Sequence, residues 1–305
     1  MLPLHATPGD QIAPLTPVRL LTAWTFEPVL LGVIIALGAI YLYGVHKLRK
    51  RGDKWSRART FSFVGVGLGS AVIATQSALG TYDTVLISVH MAQHMILSML
   101  TPLALALGAP ITLALRTLPQ RPRKWLLSVL HSRFAKVICF PLVGFTLFVI
   151  SPWVLYFSGW YEATLRSAVL HDLLHLHFIL VGAVFFWPLV GLDPVPGRVV
   201  YPFRLMMTFL TLPFHAFLGI TIMSANRLIA EDWYTAFGRA WSPSPLRDQY
   251  IAGGLLWGSG DIVGLVFFGT LFVQWVRESQ REARREDRRL DRLEEQARRA
   301  ERSPR

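Results

Sequence analysis

The sequence predicts an all-α integral membrane protein, a bundle of about seven transmembrane helices with the N-terminus outside and the C-terminus cytoplasmic. Three observations carry this expectation. Apolar residues come in blocks of about 20, the length that crosses the hydrocarbon core of a bilayer. The chain is 52% hydrophobic and 16% charged, where a soluble domain carries about a quarter charged residues. Basic residues gather in the segments between alternate blocks and in the C-terminal tail, which is the positive-inside pattern.

The first span is placed at Phe26 to Val45, an aliphatic run that stops at the basic segment Lys47 to Arg59. The second runs from Phe61 to Leu79 and contains Gly65 and Gly69, a GxxxG spacing that permits close helix packing. A turn with Tyr82 and Asp83 leads to the third span, Thr84 to Leu107, which Gly108-Ala109-Pro110 breaks. A second basic loop, Arg116 to Lys136, precedes the fourth span at Val137 to Phe157. The fifth is Ser167 to Val190, closed by a turn at Asp193-Pro-Val-Pro-Gly. The sixth is Phe203 to Met223, and a polar loop then reaches the seventh at Ile251 to Val276. Residues 1–25 are expected to form an extracytoplasmic segment, 26–276 the membrane domain and 277–305 a charged cytoplasmic tail.

With this orientation roughly 26 of the 31 Lys and Arg lie inside. Trp24, Trp153, Trp160, Trp233 and Trp241 then fall near the outer interface as an aromatic belt. Residues 1–20 are proline-rich without an apolar run, so the first span is expected to act as its own uncleaved membrane signal. The tail from Arg277 alternates Arg with Glu or Asp, including Glu278 with Arg281 and Glu286 with Arg289. It reads as a solvated helical extension of the last span.

The net charge of +12 does not indicate nucleic acid, because the charge follows loops and tail rather than a stripe. The single cysteine, Cys139, excludes an intrachain disulfide and a CxxC metal site. A metal would have to use histidine, methionine or carboxylate.

His90 and His94 are spaced i,i+4 in the third span, His171 and His175 i,i+4 in the fifth, His215 lies in the sixth and Asp261 in the seventh. An i,i+4 pair shares one helix face, the spacing that lets two imidazoles grip one metal ion. At ~1.5 Å per residue, His90 and His94 lie roughly 9 and 15 Å in from the outer end, His171 and His175 roughly 6 and 12 Å, His215 about 12 Å and Asp261 about 15 Å. Four helices thus bring ionisable groups to one layer. Such groups are costly in lipid, so they face the bundle interior and pair there. His90, His94, His171, His175, His215 and Asp261 are therefore the candidate metal ligands.

Other residues are set aside. His177 points away from the His171/His175 face by helical angle, and His5, His46 and His131 lie outside the layer. Met91, Met95 and Met99 form a stripe that suits core packing more readily than Cu(I). Asp172 could orient a neighbouring imidazole. Imidazole and carboxylate donors suit copper, zinc or iron; facing histidine pairs could equally hold a haem; a histidine–carboxylate chain could carry protons in a transporter. No nucleophile or HExxH accompanies the histidines, so an enzyme is not expected.

The order and spacing of several motifs resemble the caa3-type cytochrome c oxidase assembly factor family. They are His90-Met-Ala-Gln-His94-Met with Pro102 and Leu107-Gly-Ala-Pro110; His171-Asp-Leu-Leu-His175-Leu-His177; and Phe186-Trp-Pro188 with Gly191-Leu-Asp-Pro-Val-Pro196. Tyr201-Pro-Phe-Arg204, Pro213-Phe-His-Ala-Phe-Leu-Gly219, Asp248-Gln249 and Gly260-Asp261 continue the match, which covers about residues 24 to 275. The resemblance implies a heptahelical fold and a role in assembling a haem–copper terminal oxidase of a bacterial plasma membrane, at a copper-dependent step. It implies oxidase subunits as partners and copper as the expected metal; haem, from the facing histidine pairs, is the alternative cofactor.

Overall fold

The computed structural model describes residues 6–8, 10, 12–196 and 199–302; His5 and Gly197 of the predicted turn lie outside them. Among the described residues there is no strand, and six helices are long and apolar enough to cross a membrane. They are α1 (Pro28–Lys50), α2 (Arg57–Tyr82), α3 (Ile87–Thr117), α5 (Ala168–Val190), α6 (Tyr201–Ser224) and α7 (Pro245–Arg302). The helix α4 (Pro141–Tyr156) is bent by 70° into the short helix Trp160–Arg166, and the two taken as one span bring the candidates to seven. This is the bundle of membrane helices that the apolar blocks predict.

The boundaries follow local chemistry. Pro28 and Pro141 occupy first-turn positions, where a missing N–H costs nothing. Lys47, Arg49 and Lys50 lie in the last turn of α1, favourable to the helix dipole. Within α3 the helix stops at Gly108, Ala109 turns left-handed at φ 49° and Pro110 starts the final segment, as the Gly-Ala-Pro run predicts. Asp193 caps that segment, accepting from the backbone N–H of Thr112 at 2.7 Å and of Ile111 at 3.2 Å.

Several segments differ from the sequence expectation. The basic loop contains two helices, Gln120–Leu130 and Arg133–Ile138, and α4 starts only at Pro141, so Cys139 sits in the connecting turn. The helix α7 starts at Pro245 rather than Ile251, because Pro245 is itself a helix starter. It continues without a break through Arg302, with Arg281–Glu278 at 3.4 Å and Arg289–Glu286 at 3.7 Å along the tail.

Close backbone approach holds the centre together. Pro102 has no N–H, so it cannot donate to the Ser98 carbonyl one turn earlier, and the preceding stretch Ile96–Leu100 widens to π-helix. Gly182 of α5 packs on that same carbonyl: a Cβ there would lie 2.1 Å from Ser98 O. In α2 the tight contact is made by Gly67, whose added Cβ would come within 2.7 Å of Leu105, rather than by the Gly65/Gly69 pair. Small residues at such crossings are how membrane helices gain packing contacts where lipid supplies no hydrophobic drive.

The end of the bundle that carries the N-terminal segment is covered by polypeptide. Tyr82 Oη donates to Ala13 O at 2.9 Å and Thr84 Oγ1 to Ala6 O at 3.0 Å. Trp241 Nε1 donates to Ile12 O at 3.1 Å, and Trp233 Nε1 to Thr84 O at 2.8 Å. The N-terminal segment and the connection before α7 together roof the turn that joins α2 to α3.

Candidate metal centre

Beneath that roof, Asp83 lies between α2 and α3 with none of its surface exposed. Its Oδ2 is 3.1 Å from His171 Nε2 and 3.7 Å from His175 Nε2 on α5, and accepts from Gln93 Nε2 on α3 at 2.9 Å. Gln93 Oε1 lies 3.1 Å from His175 Nε2. One ligand atom from each of Asp83, His171 and His175 fits within 4.8 Å of the others, a spacing one metal ion can bridge.

His90 on α3 borders this group. Its ring centroid is 5.9 Å from that of His171 and 4.9 Å from that of Tyr161. Both of its ring nitrogens are buried without a hydrogen-bond partner among the described residues, as is Asp83 Oδ1. Buried polar atoms are nearly always satisfied, and leaving them unmatched in an apolar interior costs on the order of 1–3 kcal/mol each. Unspent donor atoms around an imidazole–carboxylate set fit a bound metal ion, and the borderline donors suit copper or zinc.

His94, one turn further along α3, belongs to different surroundings. Its Nδ1 is 2.5 Å from Tyr156 Oη, and its ring stacks on Phe178 with centroids 4.0 Å apart. His215 on α6 donates from Nδ1 to Thr211 O at 3.1 Å. His94 and His215 line one small cavity of about 10 Å³ with Ser98 and Phe148. Asp261 is partly buried on α7, next to Gly260, where an added Cβ would lie 3.2 Å from the His215 ring. The predicted layer therefore divides into two groups: Asp83, His90, His171 and His175 above, and His94 and His215, with Asp261 nearby, below.

Residues set aside in the sequence lie elsewhere. His46, His131 and His177 are exposed, and Met91, Met95 and Met99 are core residues. Asp83 is the residue that reading by spans treats as a turn. It carried one signal: it is the only Asp, Glu, Lys or Arg between Arg59 and Arg116. Tyr156 and Tyr161, which wall the histidines, and Tyr234, which meets Tyr161 through the hydroxyls at 2.6 Å, carried none.

Asp248 and Gln249 support the site from outside it. Asp248 Oδ2 accepts from the backbone N–H of Ile87 at 2.7 Å, and Oδ1 accepts from Ser88 Oγ. The start of α3 is thus capped by a residue of α7 instead of by its own N-cap residue, Leu86. Gln249 holds the turn after α6, accepting from Ile229 N at 2.7 Å and donating to Arg227 O at 3.0 Å.

Fold and site define a multi-span membrane protein with a buried histidine–carboxylate cluster shared among its helices. The chain belongs to the cytochrome c oxidase caa3 assembly factor family, whose sequence profile matches residues 39–278. It is 37% identical over 277 residues to uncharacterized proteins of Mycobacterium bovis and Mycobacterium tuberculosis, covering 88% of this chain and 42% of each relative. A Mycobacterium leprae protein is 35% identical over 271 residues, covering 87% of this chain and 41% of the relative. The chain thus spans about two fifths of the length of these curated relatives. No solved structure gives a significant match.

Proposed function

We propose that this protein holds a copper ion at Asp83, His90, His171 and His175 and assists its insertion into a haem–copper terminal oxidase in a bacterial plasma membrane. The observation that carries the reading is the joining of Asp83, His171 and His175 within 4.8 Å, beside a His90 whose ring nitrogens have no hydrogen-bond partner among the described residues. Bound copper would be the cargo, and the receiving oxidase subunits the partners; the protein's own residues bind and shield it. With the N-terminus outside, the ion would wait near the extracytoplasmic face.

Packing favours a single ion over a haem between the helices. His94 is stacked on Phe178, and His90 is enclosed by Tyr156, Tyr161 and Phe178 with centroids 4.9 to 6.2 Å away. Side chains fill the space in which a porphyrin would lie. A transporter would use the same ionisable residues as a relay, but the cluster is compact and lies under a roof rather than spread along a path.

The test is genetic and chemical together. Deletion should lower oxidase activity and its haem–copper absorbance, restored by the native gene but not by Asp83→Asn or His171→Ala. Normal oxidase in the deletion strain would end the assembly reading. A purified protein that takes up no copper under copper-replete expression would end the copper reading alone.

A further inference from the structure

The lower histidine group has the construction of a site in its own right. A histidine that ligates metal through one nitrogen usually has the other held by a hydrogen bond, which fixes ring and tautomer. His215 meets that condition: Nδ1 donates to Thr211 O at 3.1 Å, which leaves Nε2 as the lone-pair nitrogen. His94 meets it when its Nδ1, 2.5 Å from Tyr156 Oη, donates to that hydroxyl, and the ring is held flat on Phe178. Both rings border the same cavity of about 10 Å³, the room one water or one ion needs. Ser98 Oγ, also on that cavity, is buried and without a hydrogen-bond partner among the described residues. Asp261 follows Gly260, whose added Cβ would lie 3.2 Å from the His215 ring, and its Oδ1 is buried without a hydrogen-bond partner among the described residues.

The geometry points to a second metal site, formed by His94 Nε2 and His215 Nε2, that takes monovalent copper one helical turn below the Asp83 cluster. Two neutral imidazoles suit an ion that accepts low coordination numbers. A monovalent ion also leaves less uncompensated charge in an apolar interior than a divalent one. The His90-to-His94 step along α3 is one turn, about 6 Å at ~1.5 Å per residue. The inference rests on the copper reading above and adds a second, separately loaded station.

The test uses the full chain in detergent, loaded anaerobically with Cu(I) and ascorbate against a competing Cu(I) chelator. The native protein should retain about two copper ions per chain, one for each donor set. His94→Phe with His215→Phe should retain about one, and Asp83→Asn with His171→Phe should retain the other. X-ray absorption of the Asp83/His171 variant should then show the sharp edge feature of two-coordinate Cu(I). Retention of the remaining copper reports that each variant is folded. One copper in the native chain, unaffected by His94→Phe with His215→Phe, overturns the second site and leaves the first. One copper that depends on His94 and His215 alone overturns the Asp83 site instead. Loss of all copper in both variants overturns two separate stations in favour of one shared cluster.

Discussion

The Asp83 carboxylate lies 3.1 Å from His171 Nε2, and both side chains are sealed from solvent. The two residues are far apart in the chain, and each comes from a segment with its own reason to be there. Asp83 ends α2 under the N-terminal roof, and His171 begins α5 one turn after its N-cap, Ser167.

Asp83→Asn keeps the size and the contact with Gln93 but removes the charge. Copper affinity of the upper site should fall by more than about 10–100-fold, the loss that follows when only a group supporting a ligand is altered. Competition against a chelator, wild type beside variant, measures it; equal affinities would show that Asp83 plays no part in binding.

His90→Ala and His177→Ala make a matched pair on neighbouring helices. The first should lose copper, because it removes a buried imidazole at the cluster. The second should leave copper content unchanged and stability within about 0.5 kcal/mol of wild type, as for other exposed positions. Metal content and a melting curve on both proteins decide it.

Asp248→Ala removes the cap of α3, which carries His90 and His94. The expected loss of stability is about 0.5–2 kcal/mol, the usual effect of deleting a helix cap. Thermal melting of the metal-free protein reads this directly. A midpoint equal to wild type would mean that water replaces the carboxylate at Ile87 N.

Gly182→Ala puts a methyl group where the Ser98 carbonyl now sits. Overpacking of this kind costs about 1–3 kcal/mol, and it pushes α5 away from α3, hence His171 and His175 away from His90. Copper content should fall together with stability. A stable variant with full copper would show that the two helices can shift without harm.

The spans were legible because a bilayer imposes one length on every crossing, and the histidines were legible because ionisable groups inside such lengths are rare. What the sequence does not show is which of them meet. His90 and His94 share a helix face and the neighbours Tyr156 and Phe178, yet His90 meets His171 and Tyr161 while His94 shares a cavity with His215. Asp83 escapes a reading by spans because it falls just past an apolar block, where a charged residue is ordinary. The capping of α3 by Asp248 joins residues 161 positions apart in the chain, and no local pattern announces such a pairing.

The last helix has a mechanical meaning. Its 58 residues make a rod about 87 Å long at ~1.5 Å per residue. Near one tip Asp248 grips the first turn of the histidine-bearing helix; at the other lie the alternating arginines and glutamates. A protein that seizes the charged end and one that collects an ion at the opposite surface would be handling the same shaft. Twist or draw applied to either tip is delivered to the other without crossing a joint.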